Sequence, residues 1–324
     1  MSEPSLIELS SDQATHERYD LFVCAAGFES RATAIAEKIG ENARRSVAIG
    51  FDHNRCLSFD SNKQFFTKNH VQVVEDVSNA RFSETLADAL QATRHSSQSD
   101  NDEERHRLAC DISCFDRFRL AEIVNAVGKC RDLQAPVVDF WYSIAQFSPP
   151  RPVAGRNEVA GPVHKAFAGR FADPSRPLAL IAGLGYEMGK VVGAAEYLQA
   201  TRVIAFFPES PIEEFAAEVT NANRLLLQDV APSDFLRYPV ADPVRTIAML
   251  DSVLRGLSVD YNVVILPGGP KIFVLACLLA QRMHRNASVW RVSSGASIRP
   301  KNVEPSGFTV GLRWIPGDMS FRMT

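Results

Sequence analysis

The stretch Phe22-Val-Cys-Ala-Ala-Gly27-Phe28-Glu29 decides the fold, because it returns later in the chain as Leu180-Ile-Ala-Gly-Leu-Gly185-Tyr186-Glu187. Each copy is an apolar run that ends in Gly, an aromatic residue and Glu. Each then leads into a helical pattern, RATAIAEKI in the first copy and KVVGAAEYL in the second. The two glycines are 185 − 27 = 158 residues apart. Because self-similarity at a fixed offset is the signature of a repeated unit, this spacing predicts two copies of one fold.

Three further pairs of segments keep nearly the same offset: 46–52 with 202–208, 108–127 with 263–280, and 137–143 with 289–294. Asp111 and Leu266, which end one pair of strands, are 266 − 111 = 155 residues apart. The strands are continuously apolar, which is typical of parallel sheets covered by helices on both faces. The alternation of strands and helices predicts an α/β protein made of two tandem Rossmann-like, doubly wound parallel-sheet units related by internal duplication.

The domain boundaries follow from the composition along the chain. We expect a first unit over residues 1–150, a connection with proline-rich ends over 151–176, and a second unit over 177–300. The tail, 301–324, is predicted to form a β-hairpin that adds to a sheet edge or mediates self-association, either as a homodimer or with a protein partner. Residues 95–106, HSSQSDNDEERH, carry no apolar side chain, which predicts a mobile loop.

The overall composition excludes several classes of protein. Of the 324 residues, 46% are hydrophobic and 23% charged, which is typical of a globular chain with a buried core. A net charge of −3 does not favour a nucleic-acid coat, and we expect no direct binding to duplex DNA. There is no apolar run of about 18 residues, so we expect no membrane span. From the polar, acidic N-terminus we expect no secretory signal peptide, and the six cysteines are then expected to be reduced in a cytoplasmic protein.

The clearest candidate for ligand binding is Pro267-Gly268-Gly269-Pro270-Lys271, which follows an apolar strand and opens an apolar helix. Two glycines allow a sharp turn that exposes backbone N–H groups, and the helix N-terminus adds partial positive charge. A lysine in the first turn opposes the helix dipole, and a bound anion would compensate it. The pattern therefore predicts a site for phosphate or another anion, with an ordinary strand–helix turn and a solvated lysine as the alternative.

This strand–Gly-Gly-x-Lys–helix pattern resembles the ligand-binding motif of CARF domains, the CRISPR-associated Rossmann-fold sensors of cyclic oligoadenylates. The family usually has Ser, Thr or Asn around these glycines, where this chain has Pro267 and Pro270. The resemblance covers the second half of the chain, and the first half only through the repeat. It implies that Gly268, Gly269 and Lys271 contact the backbone of a cyclic nucleotide. CARF domains place their ligand between two copies, so the resemblance also implies a fused pseudo-dimer.

The two Gly-aromatic-Glu loops are the second candidate, with Gly27, Glu29, Gly185 and Glu187 as their possible binding residues. Either glutamate would accept from a ribose hydroxyl, or would act as an acid–base or nucleophilic group in glycosidic cleavage. An acid in the first turn of a helix also favours the dipole, so helix capping is the alternative. Arg31, present only in the first copy, would pair with a phosphate or with an acid.

Other motifs are less specific. Ser113, after the strand that matches the one before Gly268, would bind a ligand hydroxyl or cap the next helix. Gly183-Leu-Gly185-Tyr-Glu-Met188 resembles a dinucleotide fingerprint in which Met188 replaces the third glycine, so NAD(P) chemistry is a minor alternative. The histidines and cysteines lack metal-ligand spacing, so we expect no metal site and no required cofactor.

Together these patterns predict a cytosolic nucleotide-binding sensor or regulatory protein, with antiviral defence as the implied pathway. The loop at Gly268 would hold the phosphates and the Gly-aromatic-Glu loops the ribose or base. One alternative is a nucleotide or NAD N-glycosidase that uses Glu29 or Glu187. Another is a non-catalytic scaffold subunit that docks a partner through its C-terminal tail.

Overall fold

A computed structural model of the chain describes residues 5–94, 106–129, 136–150, 159–170, 173–293 and 300–317. The strands in these ranges are β1 (Ser5–Leu9), β2 (Tyr19–Ala26), β3 (Ala43–Gly50), β4 (Gln72–Val74), β5 (Arg107–Asp111), β6 (Val137–Ala145), β7 (Val159–Pro162), β8 (Leu178–Gly183), β9 (Arg202–Glu209), β10 (Phe235–Pro239), β11 (Asn262–Leu266), β12 (Ser288–Ser293) and β13 (Pro305–Ile315). The α-helices are α1 (Gln13–His16), α2 (Ala34–Ile39), α3 (Phe59–Lys68), α4 (Asn79–Arg94), α5 (Arg117–Val127), α6 (Lys190–Leu198), α7 (Glu214–Ala222), α8 (Arg224–Asp229), α9 (Pro243–Leu257) and α10 (Lys271–Met283).

The chain divides into two compact units. Unit 1 comprises residues 1–146 and 300–324, and unit 2 comprises 147–299. The predicted α/β fold is confirmed: each unit holds one mixed sheet of mostly parallel strands with interspersed helices. The predicted mobile loop falls on residues outside the described ranges, except for His106, which is buried.

The five parallel strands have the same order in both sheets. Unit 1 has the order β1-β13-β6-β5-β2-β3-β4, and unit 2 has β10-β9-β8-β11-β12-β7. Counted along the chain within each unit, the parallel strands run 3-2-1-4-5, and an antiparallel strand follows the fifth. In both sheets the chain therefore reverses direction across the sheet between the first and fourth strands, β2 and β5 or β8 and β11. Ligands bind outside the carboxyl ends of the strands at such a switch point.

Burial of the central elements explains why their sequences are apolar throughout. Every residue of β11 and nearly every residue of β6 is buried, since helices cover both faces. Helix α10 is buried along its whole length from Ile272 to Gln281, which accounts for its apolar character on all sides. The third parallel strand of each unit, β4 or β10, was missed by the sequence analysis, because each is short and only partly buried.

The C-terminal tail differs from the expected edge hairpin. β13 is a single long strand that pairs antiparallel with β6 on one side and with β1 on the other, so it is internal to the sheet of unit 1. Charge pairing explains its position: Arg313 of β13 donates twice to the buried carboxylate of Asp139, at 2.7 and 2.8 Å, and once to Glu17 at 2.8 Å. The second strand of the expected hairpin lies outside the described residues.

The expected connection over 151–176 also takes part in the fold. Its described part includes β7, which pairs antiparallel with β12 and forms the edge of the sheet in unit 2. This segment is therefore not a plain linker, because its backbone groups complete the ladder of the last parallel strand.

Candidate functional site

In unit 2 the two predicted glycine loops lie against each other at the switch point. A Cβ atom at Gly268 would be 2.1 Å from the carbonyl oxygen of Gly183, and one at Gly269 would be 2.5 Å from that of Leu184. A Cβ at Gly185 would be 3.0 Å from the backbone nitrogen of Gly269. Gly269 also has a φ of +74°, which side chains disfavour. The glycines therefore allow direct backbone contact between the loop after β8 and the loop after β11.

An aromatic cluster supports these loops from the core. The ring of Phe273, in the first turn of α10, stacks on the buried ring of Tyr238 at 4.5 Å between centroids and contacts Phe206 at 5.6 Å. A Cβ at Gly183 would clash with the Phe273 ring at 2.4 Å. Because core side chains are close-packed, the start of α10 is held firmly against the end of β8.

The helices that follow these two loops both begin with lysine. Lys190 is the first residue of α6 and Lys271 the first of α10. Their N-cap residues are Gly189 and Pro270, and neither has a side-chain cap hydrogen bond. A cation at a helix N-terminus opposes the dipole, and at Lys190 the carboxylate of Glu187 offsets part of that charge, with Oε1 2.8 Å from the ammonium. Lys190 was missed by the sequence analysis, although its place at the start of a helix matches that of Lys271.

The rest of the Gly185-Tyr186-Glu187 loop is open to solvent. The Glu187 side chain is 51% exposed and its Oε1 accepts from the ammonium of Lys190 at 2.8 Å. The ring of Tyr186 stacks nearly parallel on Phe215, with centroids 6.0 Å apart and an interplanar angle of 7°. Phe215 in turn meets Phe147 edge-on at 5.3 Å. Carboxylate, ammonium and aromatic groups are thus available on one loop.

In unit 1 most polar side chains of the matching loop pair with groups of the same unit. The guanidinium of Arg31, buried to 6% exposure, donates to the Glu29 carboxylate at 2.6 Å and to the Ser143 carbonyl at 3.2 Å. Burial lowers the pKa of Arg31, but the adjacent Glu29 outweighs that effect and holds the pKa above its usual range. The thiol of Cys114 approaches the same carboxylate at 3.8 Å, and a Cβ at Gly27 would contact Cys114 at 3.2 Å. Of its two expected roles, Arg31 takes that of pairing with an acid.

The loop after β5 carries two buried polar groups. The N–H of Ser113 donates to Asp111 at 2.8 Å, and the fully buried Ser113 hydroxyl accepts from the N–H of Ser143 at 2.8 Å. Burial raises the pKa of Asp111 to about 6, against the opposing effect of the hydrogen bonds from Ser113. The next helix is capped by Asp116, whose carboxylate accepts from the N–H of Arg119 at 2.7 Å. The capping role considered for Ser113 thus belongs to Asp116.

Arg119 is a buried cation that the sequence analysis missed. It has no exposed surface, and it donates to the carbonyls of Gly50, at 3.0 Å, and Val77. Its guanidinium carbon lies 3.7 Å from the ring centroid of Phe51 and 4.8 Å from that of Phe82. Burial lowers the pKa of Arg119 to about 10, so it stays protonated at neutral pH. It joins the loops after β3 and β4 to the start of α5.

Two buried asparagines also act on the candidate loops. The carboxamide nitrogen of Asn62 donates to the carbonyls of Gly27 and Glu29, at 2.9 and 2.8 Å. That of Asn223 donates to the carbonyl of Gly185 at 2.6 Å. The sequence signal for them is faint: an asparagine 62 − 27 = 35 residues after the loop glycine in one unit and 223 − 185 = 38 in the other.

The structure therefore groups the predicted residues by unit. Gly185, Glu187, Gly268, Gly269 and Lys271 surround the switch point of unit 2. Their counterparts Gly27, Glu29, Arg31 and Ser113 surround that of unit 1.

The described ranges hold neither a metal-binding cluster nor a membrane-spanning helix. Those ranges contain no group of three His, Cys, Asp or Glu side chains that could hold a metal ion. None of their helices is long and apolar enough to cross a membrane.

Comparison with known proteins gives similarity to solved structures alone. A scan against protein-family models finds no match for the chain, and a search of curated proteins finds none. Among solved structures, the chain is similar to a type III CRISPR defence DNA nuclease that is activated by cyclic oligoadenylate. The two chains are 10% identical, with a TM-score of 0.47. The similarity covers 80% of this chain and 63% of the nuclease chain, so this chain spans less than two thirds of that protein's length.

Proposed function

We propose that the protein is a nucleotide-binding sensor or regulator, in antiviral defence, whose phosphate-binding site lies at the switch point of unit 2. One observation carries the proposal. Two helices, α6 and α10, each begin with a lysine and lack a side-chain cap, one lysine being paired with the exposed Glu187, and the loops that precede them are in backbone contact. Two dipoles and two ammonium groups around one pair of loops favour an anionic ligand.

The matching position in unit 1 supports assignment of the phosphates to unit 2. Helix α5 of unit 1 already has a carboxylate, that of Asp116, at its N-terminus. The one arginine of the neighbouring loop, Arg31, already has a carboxylate partner in Glu29. Internal acids therefore occupy the two places in unit 1 where a ligand anion would bind, whereas Glu187, the acid that pairs with Lys190 in unit 2, has a side chain that is 51% exposed.

The exposed loop of unit 2 offers groups for the rest of a nucleotide. Glu187 would accept from ribose hydroxyls, and its pairing with Lys190 would bring that carboxylate next to the phosphates. Tyr186, already stacked on Phe215, would provide an aromatic surface for a base.

Isothermal titration with a cyclic oligoadenylate, ATP and NAD tests the proposal, with adenosine as the probe that lacks phosphate. Lys271→Ala is expected to weaken binding of the phosphate-bearing probe about tenfold or more, because a charge-assisted hydrogen bond is lost. Lys165→Ala removes an exposed lysine of the same unit and serves as the control. Failure of all three probes to bind, or equal binding by the two variants, would refute the proposal.

The alternative of N-glycosidic cleavage is favoured by one feature of unit 1. Buried Asp111, with its pKa raised to about 6, lies within electrostatic range of Glu29, and such a pair of acids suits acid–base chemistry. Incubation with the same nucleotides and analysis of released bases distinguishes the two functions. Release that is lost in Glu29→Gln favours the enzyme, and binding without release favours the sensor.

A further inference from the structure

Both units contain the same contact between an asparagine and the loop that ends the first parallel strand. Asn62 of α3 donates to the carbonyl of Gly27, and Asn223, between α7 and α8, donates to that of Gly185. Each asparagine lies on the segment that follows the second parallel strand, and each is 5% exposed. A buried carboxamide is stable only where its donors and acceptors are satisfied, so these contacts constrain the loops strongly.

The local surroundings of the two asparagines differ, but the loop contact is the same. Asn62 is inside a continuous helix, and its second bond goes to the carbonyl of Glu29 at 2.8 Å. Asn223 is at a helix break, with a φ of −110°, and its second bond goes to the carbonyl of Val219 at 2.8 Å. Helix geometry alone therefore does not account for a shared contact to the loop glycine.

In unit 2 two successive contacts connect Asn223 with the proposed phosphate site. The carboxamide of Asn223 donates to the carbonyl of Gly185 at 2.6 Å. The backbone of Gly185 in turn lies close to that of Gly269, since a Cβ atom added to Gly185 would be 3.0 Å from the Gly269 nitrogen. Gly269 is two residues before Lys271, the first residue of α10. A shift of the Gly185 loop would consequently move the backbone on which the start of α10 rests.

We propose that Asn223 is a positioning residue for the phosphate site of unit 2, and that Asn62 has the same role for the Glu29 loop of unit 1. This inference rests on the proposed function for its ligand, but not for its structural basis. Asn223 fixes the Gly185 carbonyl and thereby the spacing of the two glycine loops. It does not touch the ligand itself.

The test is Asn223→Asp, which keeps the shape of the side chain and removes its donors. Asn262→Asp is the matched control, because Asn262 is 8% exposed, belongs to the same unit and donates to two carbonyls, of Asp173 at 2.7 Å and Arg176 at 3.2 Å. Those carbonyls precede β8, at the amino ends of the strands, whereas the proposed site lies at their carboxyl ends. Each substitution therefore places a carboxylate against two carbonyl oxygens, but only the substitution of Asn223 does so at the glycine loops.

Titration of both variants with ATP and a cyclic oligoadenylate is the first measurement. At neutral pH we expect Asn223→Asp to bind about tenfold more weakly than wild type, and Asn262→Asp to bind like wild type, although both lower the melting temperature. Burial raises the pKa of the introduced carboxyl group, so its protonated form donates again at low pH. The affinity ratio of Asn223→Asp to wild type is therefore expected to recover as the pH falls towards 5. Equal loss of affinity in both variants, or no recovery, would overturn the positioning role.

Amide hydrogen exchange without ligand separates failure of this inference from failure of the proposed function. We expect faster exchange for residues 184–189 in Asn223→Asp and unchanged exchange there in Asn262→Asp. If the loop amides respond but no probe binds the wild type, the proposed function fails and the structural contact stands. If the loop amides do not respond, the positioning role fails whatever binds. Asn223→Ala, which adds no buried charge, provides the same comparison if the first variant does not fold.

Discussion

Replacement of Gly268 by alanine tests the close contact between the two glycine loops without the added effect of an unfavourable backbone conformation. An added Cβ would lie 2.1 Å from the Gly183 carbonyl oxygen, whereas real Cβ contacts are essentially never under 3.0 Å. Gly268→Ala therefore requires the two loops to separate by at least 3.0 − 2.1 = 0.9 Å. Gly183 cannot easily retreat, because it is itself packed against the ring of Phe273. The φ of Gly268 is not in the left-handed region, so alanine meets only the steric obstacle.

The expected cost is large for one methyl group. Overpacking of a rigid interior typically costs about 1–3 kcal/mol, and the obstacle here is backbone, so we expect about 3 kcal/mol. For a unit of this size, that loss lowers the melting temperature by roughly 6–12 °C. It would remove a substantial part of the stability of an ordinary domain, which is about 5–15 kcal/mol.

Gly256→Ala is the matched control for this experiment. Gly256 lies exposed inside α9, and a Cβ there would meet nothing within 4 Å. The same exchange is expected to stabilise the protein by about 0.5–1 kcal/mol, because alanine favours the helix. Thermal and urea unfolding of both variants should therefore give shifts of opposite sign. A melting temperature for Gly268→Ala equal to or above that of wild type would refute the loop geometry on which the candidate site depends.

Three further predictions concern buried charges of unit 1, each measured by urea unfolding. Because folding raises the pKa of Asp111 from 3.8 to about 6, its stabilising contribution is present below pH 4 and is lost as the pH rises through 6. Asp111→Asn should gain up to about 3 kcal/mol relative to wild type between pH 4 and 7, and a constant difference would contradict this. Arg119→Met should cost about 3 kcal/mol by leaving buried carbonyls unpaired, whereas the exposed control Arg245→Met should stay within about 0.5 kcal/mol; equal effects would contradict the buried-cation role. Arg313→Met should cost about 3 kcal/mol, the low end for a broken buried pair, because Asp139 keeps the Tyr19 hydroxyl at 3.0 Å and Arg107 at 4.0 Å; a neutral effect would show that the tail is peripheral.

Sequence reasoning predicted the parts of the fold that depend on patterns over a few neighbouring residues. Apolar runs identified four of the five parallel strands in each unit, because a strand buried on both faces needs little else. β4 and β10 escaped, since three to five partly exposed residues carry no clear periodicity. The glycine loops were found because a sharp turn between strand and helix restricts the residue types that fit.

The candidate site shows the same division. Gly268, Gly269 and Lys271 stand in a short motif and were predicted together. Lys190 and Asn223 were not predicted, because the role of each depends on a loop that becomes its neighbour only in the folded chain. No spacing in the sequence distinguishes an asparagine that holds a loop from one that caps a helix.

The sequence by itself determined that this protein has an α/β fold and that its motifs stand where strands give way to helices, because hydrophobic runs and glycine turns act over a few residues. Only the tertiary structure decided that β13 is internal to the first sheet, that the glycines serve loop–loop contact, and that Arg31 is committed to Glu29. The first two outcomes depend on which distant segments pack together, since a missing Cβ decides how closely two backbones approach. The third depends on burial, because a desolvated guanidinium must have a partner even when that partner is only two residues away.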